Sequence, residues 1–513
     1  MTKQIRNLGI FLTLCYIALF VQVNRLTVFD AKDLQNKPGN NRQAVRDFDR
    51  PRGSISTADG VVLAQTVPDT NPDDRLELQR TYPEGDTFGQ ITGFFNPLSI
   101  GTDGLEKEYN SELAGRDLTD LTNLDGIDRF VDDFFVDKDH VGNLSLTIRA
   151  DVQRAAREAL GDVPGSVVAL DPKTGGILAL WSFPSYDPNL LSVHNGADAT
   201  AASQALLADP TKPRLARAYQ EIYPPGSTYK VVTATGGVEK GTVTADEPDY
   251  PLANEYRARG AGSPITNFDD GTCGGKLFEI LRVSCNTAFA QMGVDQVGTD
   301  AMVATAESYG FNRDVPIDLP RPARSQFPNA KADDPGFLAQ ISIGQNDVAA
   351  TPLQMAMVAA AVANGGKIMT PHVLSEIRDE DERVVRTYEP DVWTEVMDAG
   401  SAGLLRQAMK EVATEGTAQH LGDDIPEFEV GGKTGTAQFR EDTSHAWVIG
   451  FAGPPGEDPQ VVVAVIVEAQ PGVSEATGGR VAAPIASQVL AAALQPLPAP
   501  GEGGAPTDGG SGG

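Results

Sequence analysis

The sequence predicts an α+β protein in which one antiparallel sheet is assembled from two distant parts of the chain. Three observations carry this. Residues 166–171 and 177–181 are apolar runs on either side of the turn residues Pro172-Lys173-Thr174-Gly175, which is a hairpin pattern. Residues 428–438, 445–453 and 460–468 read as three further strands, the last a near-continuous apolar run of the kind a central strand needs. The intervening text, 227–421, reads as helix and loop. Two strands early and three late form one sheet only if both ends of this region meet, with helices covering its faces.

The remaining elements follow in order. Residues 7–24 carry no charge and are mostly apolar, close to the roughly 20 residues that span a bilayer core. Lys3 and Arg6 precede them, and Arg25 is soon followed by Asp30 and Asp33. The more positive flank stays inside, so 1–7 reads as a cytoplasmic tail, 8–27 as a membrane anchor, and the rest as extracytoplasmic. A cleaved signal peptide is the alternative, but Val21-Gln22-Val23 is a poor small-x-small site. Residues 28–143 form a separate unit with hairpin and turn signals at Arg52-Gly53-Ser54-Ile55, Ala58-Asp59-Gly60 and Gly101-Thr102-Asp103-Gly104, and no apparent chemistry. Its acidic run at 125–139 reads as a solvated face. Residues 145–160 have helical spacing, 350–363 are Ala-rich and helical, and 481–494 form a small-residue helix with Pro484 in its first turn. The Pro/Gly/Ala-rich end, 496–513, is disordered on composition.

Composition narrows the function. The chain has 513 residues, enough for two or three domains, and a net charge of −29 that argues against nucleic acid as a partner. Five scattered histidines show no metal-ligand spacing, and no cofactor is implied. Three cysteines are too few for a disulfide framework. Cys15 lies in the apolar span, while Cys273 and Cys285 both lie beyond it, where disulfides persist. A bridge between those two and a buried small hydrophobe beside a loop thiol are both open readings.

The chemistry gathers in three short motifs. Pro225-Gly226-Ser227-Thr228-Tyr229-Lys230 contains the only Ser-x-x-Lys of the chain, ahead of an apolar helix. Three residues apart on a helix, Ser227 and Lys230 share a face, and a desolvated lysine near another cation is neutral enough to take a serine proton. Alone, the pair is more often an ordinary surface Ser and Lys. Ser284-Cys285-Asn286 is the only Ser-x-Asn, and Lys433-Thr434-Gly435-Thr436 follows it, with spacings of 57 and 149 residues from nucleophile to Ser-x-Asn to Lys-Thr-Gly. Another Lys-Thr-Gly begins at Lys173, but it precedes Ser227 and occupies a tight turn, so Lys173 reads as a solvated turn residue. Acyl transfer needs a nucleophile, a proton shuttle and oxyanion donors. Ser227 is the expected nucleophile, Lys230 its base, and Ser284 a relay to the leaving amine. Asn286 suits a peptide amide and helps to hold Lys230. Lys433 is expected to supply fixed positive charge, Thr434 and Thr436 to bind a carboxylate, and Gly435 to admit close approach of the substrate. Trp447 and Phe439 read as core more readily than as cleft lining.

This ordered motif set is that of penicillin-binding proteins and class A β-lactamases. The chain resembles a class B penicillin-binding protein, a peptidoglycan D,D-transpeptidase, most like the short actinobacterial type without C-terminal repeat modules. The resemblance implies the penicilloyl-serine transferase fold, a five-stranded antiparallel sheet with an all-helical lobe and the active site between them. It makes 28–143 a non-catalytic, dimerisation-type pedestal and 144–495 the transpeptidase domain. It also implies an oxyanion hole from the Ser227 and Thr436 N–H groups, D-Ala-D-Ala stem peptides as donors, an amine acceptor and β-lactams as covalent inhibitors. A membrane glycan polymerase of the shape-elongation-division-sporulation type is the implied partner. The rivals are a D,D-carboxypeptidase, a β-lactamase, for which no water-activating glutamate is identifiable, and a non-enzymatic β-lactam sensor.

Overall fold

The computed structural model describes residues 2–25, 48, 50–71, 76–115, 141–328, 334–440, 443–469 and 477–497. Most of the expected tail at 496–513, the acidic run at 125–139, and the Phe439 side chain lie outside the described part. Helix α1 (Thr2–Asn24) is long and apolar enough to cross a membrane, and none of its apolar window is buried among the described residues. The interior of a bilayer satisfies such a helix, whose backbone bonds are all internal.

The region expected to be catalytic begins with α2 (Ala150–Leu160), followed by β1 (Gly165–Leu170) and β2 (Ile177–Phe183). Then come α3 (Lys230–Glu239), α4 (Leu277–Arg282), α5 (Asn286–Gln291), α6 (Pro352–Ala363) and α7 (Ala399–Glu415). Strands β3 (Glu429–Arg440), β4 (Thr443–Gly453) and β5 (Val461–Val467) and helix α8 (Ala483–Leu494) complete it. The sheet runs β3-β4-β5-β1-β2 and is antiparallel throughout. The late strands thus join the early ones through β5 and β1, with Val465 opposite Val167. All seven residues of β5 are buried, which requires cover on both faces. Helices α2 and α8 pack on each other and on the sheet, and α6 packs on β1, β4 and β5. Strand β3, which carries Lys-Thr-Gly, is left at an edge.

The five-stranded sheet is not the only one among the described residues. A second sheet has six strands, in the order Val384–Thr387, Leu374–Arg378, Asn143–Leu146, Ile55–Ser56, Val62–Pro68 and Leu78–Thr81. It takes a hairpin from deep within the catalytic region into the N-terminal unit. The junction is further tied by Asn189, which accepts from the Tyr82 N–H and donates to the Tyr82 carbonyl, each at 2.9 Å. Tyr109 donates to Asp318 across the same junction at 2.9 Å. Within the N-terminal unit, Glu106 is fully buried between Arg52 and Arg80, at 2.5 and 2.6 Å. Burial alone would raise its carboxyl, but the two guanidiniums outweigh that and hold it low.

Candidate active site

The turn that carries Ser227, the expected nucleophile, is shaped by two glycines. Residues Gly226–Tyr229 form a single 3-10 turn that runs directly into α3. Gly226 has φ +53°, and a Cβ there would stand 2.9 Å from the Thr436 carbonyl. Its N–H donates to Gly344, whose own Cβ would lie 2.1 Å from the Gly226 carbonyl. Only glycine tolerates both the conformation and the approach. From the sheet side, the Trp447 Nε1–H donates to the Pro224 carbonyl at 3.0 Å. Ser227 is therefore held between a loop and the β3–β4 pair, partly open to solvent, while Thr228, Tyr229 and Lys230 are buried.

The three motifs converge on one hydroxyl. Lys230 Nζ donates to the Ser284 carbonyl at 2.7 Å, Ser284 Oγ at 3.2 Å and Asn286 Oδ1 at 2.7 Å. Lys433 Nζ donates to Ser284 Oγ at 2.8 Å and to the Thr434 carbonyl at 2.9 Å. Ser284 itself sits at φ +58°, an unusual conformation for a non-glycine, which turns both its carbonyl and its hydroxyl toward the amines. A hydroxyl that accepts from two amines has its own proton left to give. Asn286 commits Oδ1 to Lys230 and one Nδ2 hydrogen to the Thr266 carbonyl at 2.9 Å, keeping a second N–H hydrogen.

Both lysines are fully buried. Burial, and then the neighbouring Lys433, push the Lys230 amine well below its ordinary value. Burial brings Lys433 down to about 7. Lys433, expected to supply positive charge, is removed from water with only hydroxyl and carbonyl partners, and burial disfavours its charged form. Gly435 has a reason within the fold besides the expected approach of substrate. A Cβ there would meet the Pro225 carbonyl at 2.9 Å, Thr228 Cγ2 at 3.0 Å and Trp447 Cβ at 3.1 Å. The missing side chain lets the nucleophile turn lie on the strand. Thr434 is buried, Thr436 is partly exposed, and Trp447 is fully buried. Lys173 lies in the β1–β2 turn, at the opposite edge strand of the sheet from β3, and pairs with Asp458 at 2.7 Å.

A profile described as "Penicillin binding protein transpeptidase domain" matches residues 165–491, a span that contains all three motifs. The chain belongs to the penicillin-binding protein transpeptidase family. A second profile, "Penicillin binding protein A dimerisation domain", matches residues 52–130 of this penicillin-binding protein. Among curated relatives, the peptidoglycan D,D-transpeptidase PbpA of Mycolicibacterium smegmatis is 36% identical, over 96% of this chain and 99% of its own. PbpA of Mycobacterium tuberculosis is 35% identical, over 97% of this chain and 100% of its own. Among solved structures, the ceftriaxone acyl-enzyme of M. tuberculosis penicillin-binding protein A superimposes with a TM-score of 0.77 at 34% identity, covering 88% of this chain and 100% of that one.

Two features of this penicillin-binding protein were not resolved by its motifs. Cys273 and Cys285 are joined in a disulfide, with their Cα atoms 5.8 Å apart. The bridge ties the middle of Ser-Cys-Asn to the glycine-rich strand Cys273–Gly275, leaving Cys15 as the free cysteine. Thr417, which no motif singled out, places its hydroxyl 2.6 Å from that of Thr434. The available signal was the small-residue stretch Gly416-Thr417-Ala418 after α7, which by itself reads as a helix stop. Among the described residues, no group of His, Cys, Asp or Glu side chains is arranged to hold a metal.

Proposed function

We infer that this chain is a membrane-anchored peptidoglycan D,D-transpeptidase working through an acyl-Ser227 intermediate. The observation that carries the reading is Ser284 Oγ, shared by Lys230 and Lys433 beside the nucleophile turn. Ser227 Oγ attacks the penultimate D-Ala carbonyl of a donor stem, and the depressed Lys230 amine takes the hydroxyl proton. The backbone N–H groups of Ser227 and Thr436 stabilise the oxyanion. Ser284 passes a proton to the departing D-alanine nitrogen, with Lys230 replenishing it. Asn286 offers its remaining N–H to the donor peptide, and protonated Lys433 with Thr434 and Thr436 receives the terminal carboxylate. The amine of an acceptor stem then attacks the ester, forming the crosslink and releasing Ser227. A β-lactam opens on the same serine and cannot leave, because its leaving group stays tethered.

Helix α1 anchors the chain, and Lys3 and Arg6 on its N-terminal side favour an extracytoplasmic catalytic region. In this reading 1–7 is the cytoplasmic tail, 28–143 the pedestal and 144–495 the transpeptidase domain. A membrane glycan polymerase, docked on the anchor and pedestal, supplies the strands. The test is incubation of the full chain in detergent with glycan strands bearing pentapeptide stems. Crosslinked dimers with release of D-alanine are expected. D-Alanine release that yields only trimmed stems identifies a carboxypeptidase, and rapid turnover of penicillin identifies a β-lactamase; either result rejects the transpeptidase reading.

A further inference from the structure

We propose that Thr417 is a positioning residue for recognition of the substrate carboxylate, acting through Thr434; this rests on the transpeptidase reading above. The Thr417 and Thr434 hydroxyls are 2.6 Å apart, so one of them donates to the other. A threonine hydroxyl has a single proton. If Thr434 gives that proton to Thr417, it turns only lone pairs toward an arriving anion, which repels it. If Thr417 donates instead, Thr434 keeps its proton for the carboxylate, and the donated bond polarises that proton further. An anion in the site therefore selects the second direction. Thr417 is suited to hold it. It is an exposed residue, whereas Thr434 is buried.

The backbone around Thr417 is fixed from two sides. Its N–H donates to the carbonyl of Arg282, two residues before Ser284, at 3.3 Å. A Cβ on Gly479 would stand 2.3 Å from the Thr417 carbonyl, and a Cβ on Gly416 would stand 2.5 Å from the Arg282 carbonyl. Arg282 and Glu415 pair across the same contact at 2.8 Å. One residue thus touches the Lys-Thr-Gly strand with its hydroxyl and the approach to Ser-Cys-Asn with its backbone. The motifs that receive the carboxylate and deliver the proton share this support.

The test compares Thr417→Val, which keeps the shape and removes the hydroxyl, with Thr417→Ser, which keeps the hydroxyl. Second-order acylation constants are measured on the full chain with benzylpenicillin and with its methyl ester, which lacks the carboxylate; thermal midpoints confirm folding. Thr417→Val should lose roughly tenfold with benzylpenicillin, the worth of one hydrogen bond at an anion-binding hydroxyl. It should stay within about twofold of wild type with the ester, and Thr417→Ser should recover the loss. Equal losses with both compounds, no loss with benzylpenicillin, or failure of serine to recover it would overturn the proposal. Failure of the wild type to be acylated at Ser227 at all would instead reject the transpeptidase reading on which it rests.

Discussion

At the scale of single residues, the site works by keeping charge out of water. Lys230 and Lys433 share Ser284 Oγ in a fully buried setting, and both amines are pushed down by burial. Because Lys433 titrates at about 7, it should be cationic below that pH and neutral above it. The second-order acylation constant, which reports the free enzyme, should therefore fall for benzylpenicillin as pH rises through about 7, as the carboxylate loses its cation. Its methyl ester should not show that limb. A profile flat for benzylpenicillin from pH 6 to about 8 would remove Lys433 from carboxylate binding. Stability runs the opposite way with pH. Between the folded value of about 7 and the unfolded value of roughly 10.4, the unfolded chain binds the extra proton, so stability rises with pH in that window. Lys433→Met should reduce that rise in thermal or denaturant midpoints, leaving the part that the likewise depressed Lys230 contributes. The sequence led to a desolvated Lys230 near a second cation, but not to the depressed Lys433. Ser-x-x-Lys and Lys-Thr-Gly name the residues, but the charge state of a lysine is set by tertiary burial. Thr417 escaped for the same reason: its partner is 17 residues away and no periodic pattern marks it.

At the scale of elements, the nucleophile turn and strand β3 are one unit. Gly226, Gly344 and Gly435 each leave out a side chain where two backbones meet. The structure therefore predicts that Gly435→Ala separates the Pro225 carbonyl from the strand and misplaces Ser227 relative to Thr436. A displacement of about 1 Å costs on the order of a hundredfold in rate. Gly435→Ala should show that loss in acylation with only a few degrees of thermal destabilisation; wild-type acylation would mean that the strand tolerates the methyl group without moving the serine. Elements with strong periodicity were readable. The apolar run of β5 and the hairpin of β1 and β2 appear close to where the residues put them. The six-stranded sheet was not, because its shortest strand is Ile55–Ser56 and two of its six strands come from residues 374–387. Two residues carry no alternation to read, and long-range pairing leaves no local trace.

At the scale of the whole molecule, the N-terminal unit is bound to the catalytic region by a shared sheet and by polar clasps, and it has its own buried ion cluster. Arg52 and Arg80 flank Glu106 with almost no exposure to solvent. Glu106→Gln would leave two guanidiniums buried without a counter-charge, at a cost of about 3–5 kcal/mol. Denaturant unfolding of the full chain should show that loss, and a change under about 1 kcal/mol would mean that water reaches the cluster. Hydropathy and motif order led to the expected division into anchor, N-terminal unit and catalytic region, whereas the interleaving of the last two through a shared sheet left no local trace. The central claim remains chemical: one serine carries the acyl group. Intact-mass and peptide mapping of the full chain after exposure to benzylpenicillin tests it most directly. A single long-lived penicilloyl group on the peptide containing Ser227, absent from a folded Ser227→Ala variant, is the predicted result; an adduct that persists in that variant would contradict the account.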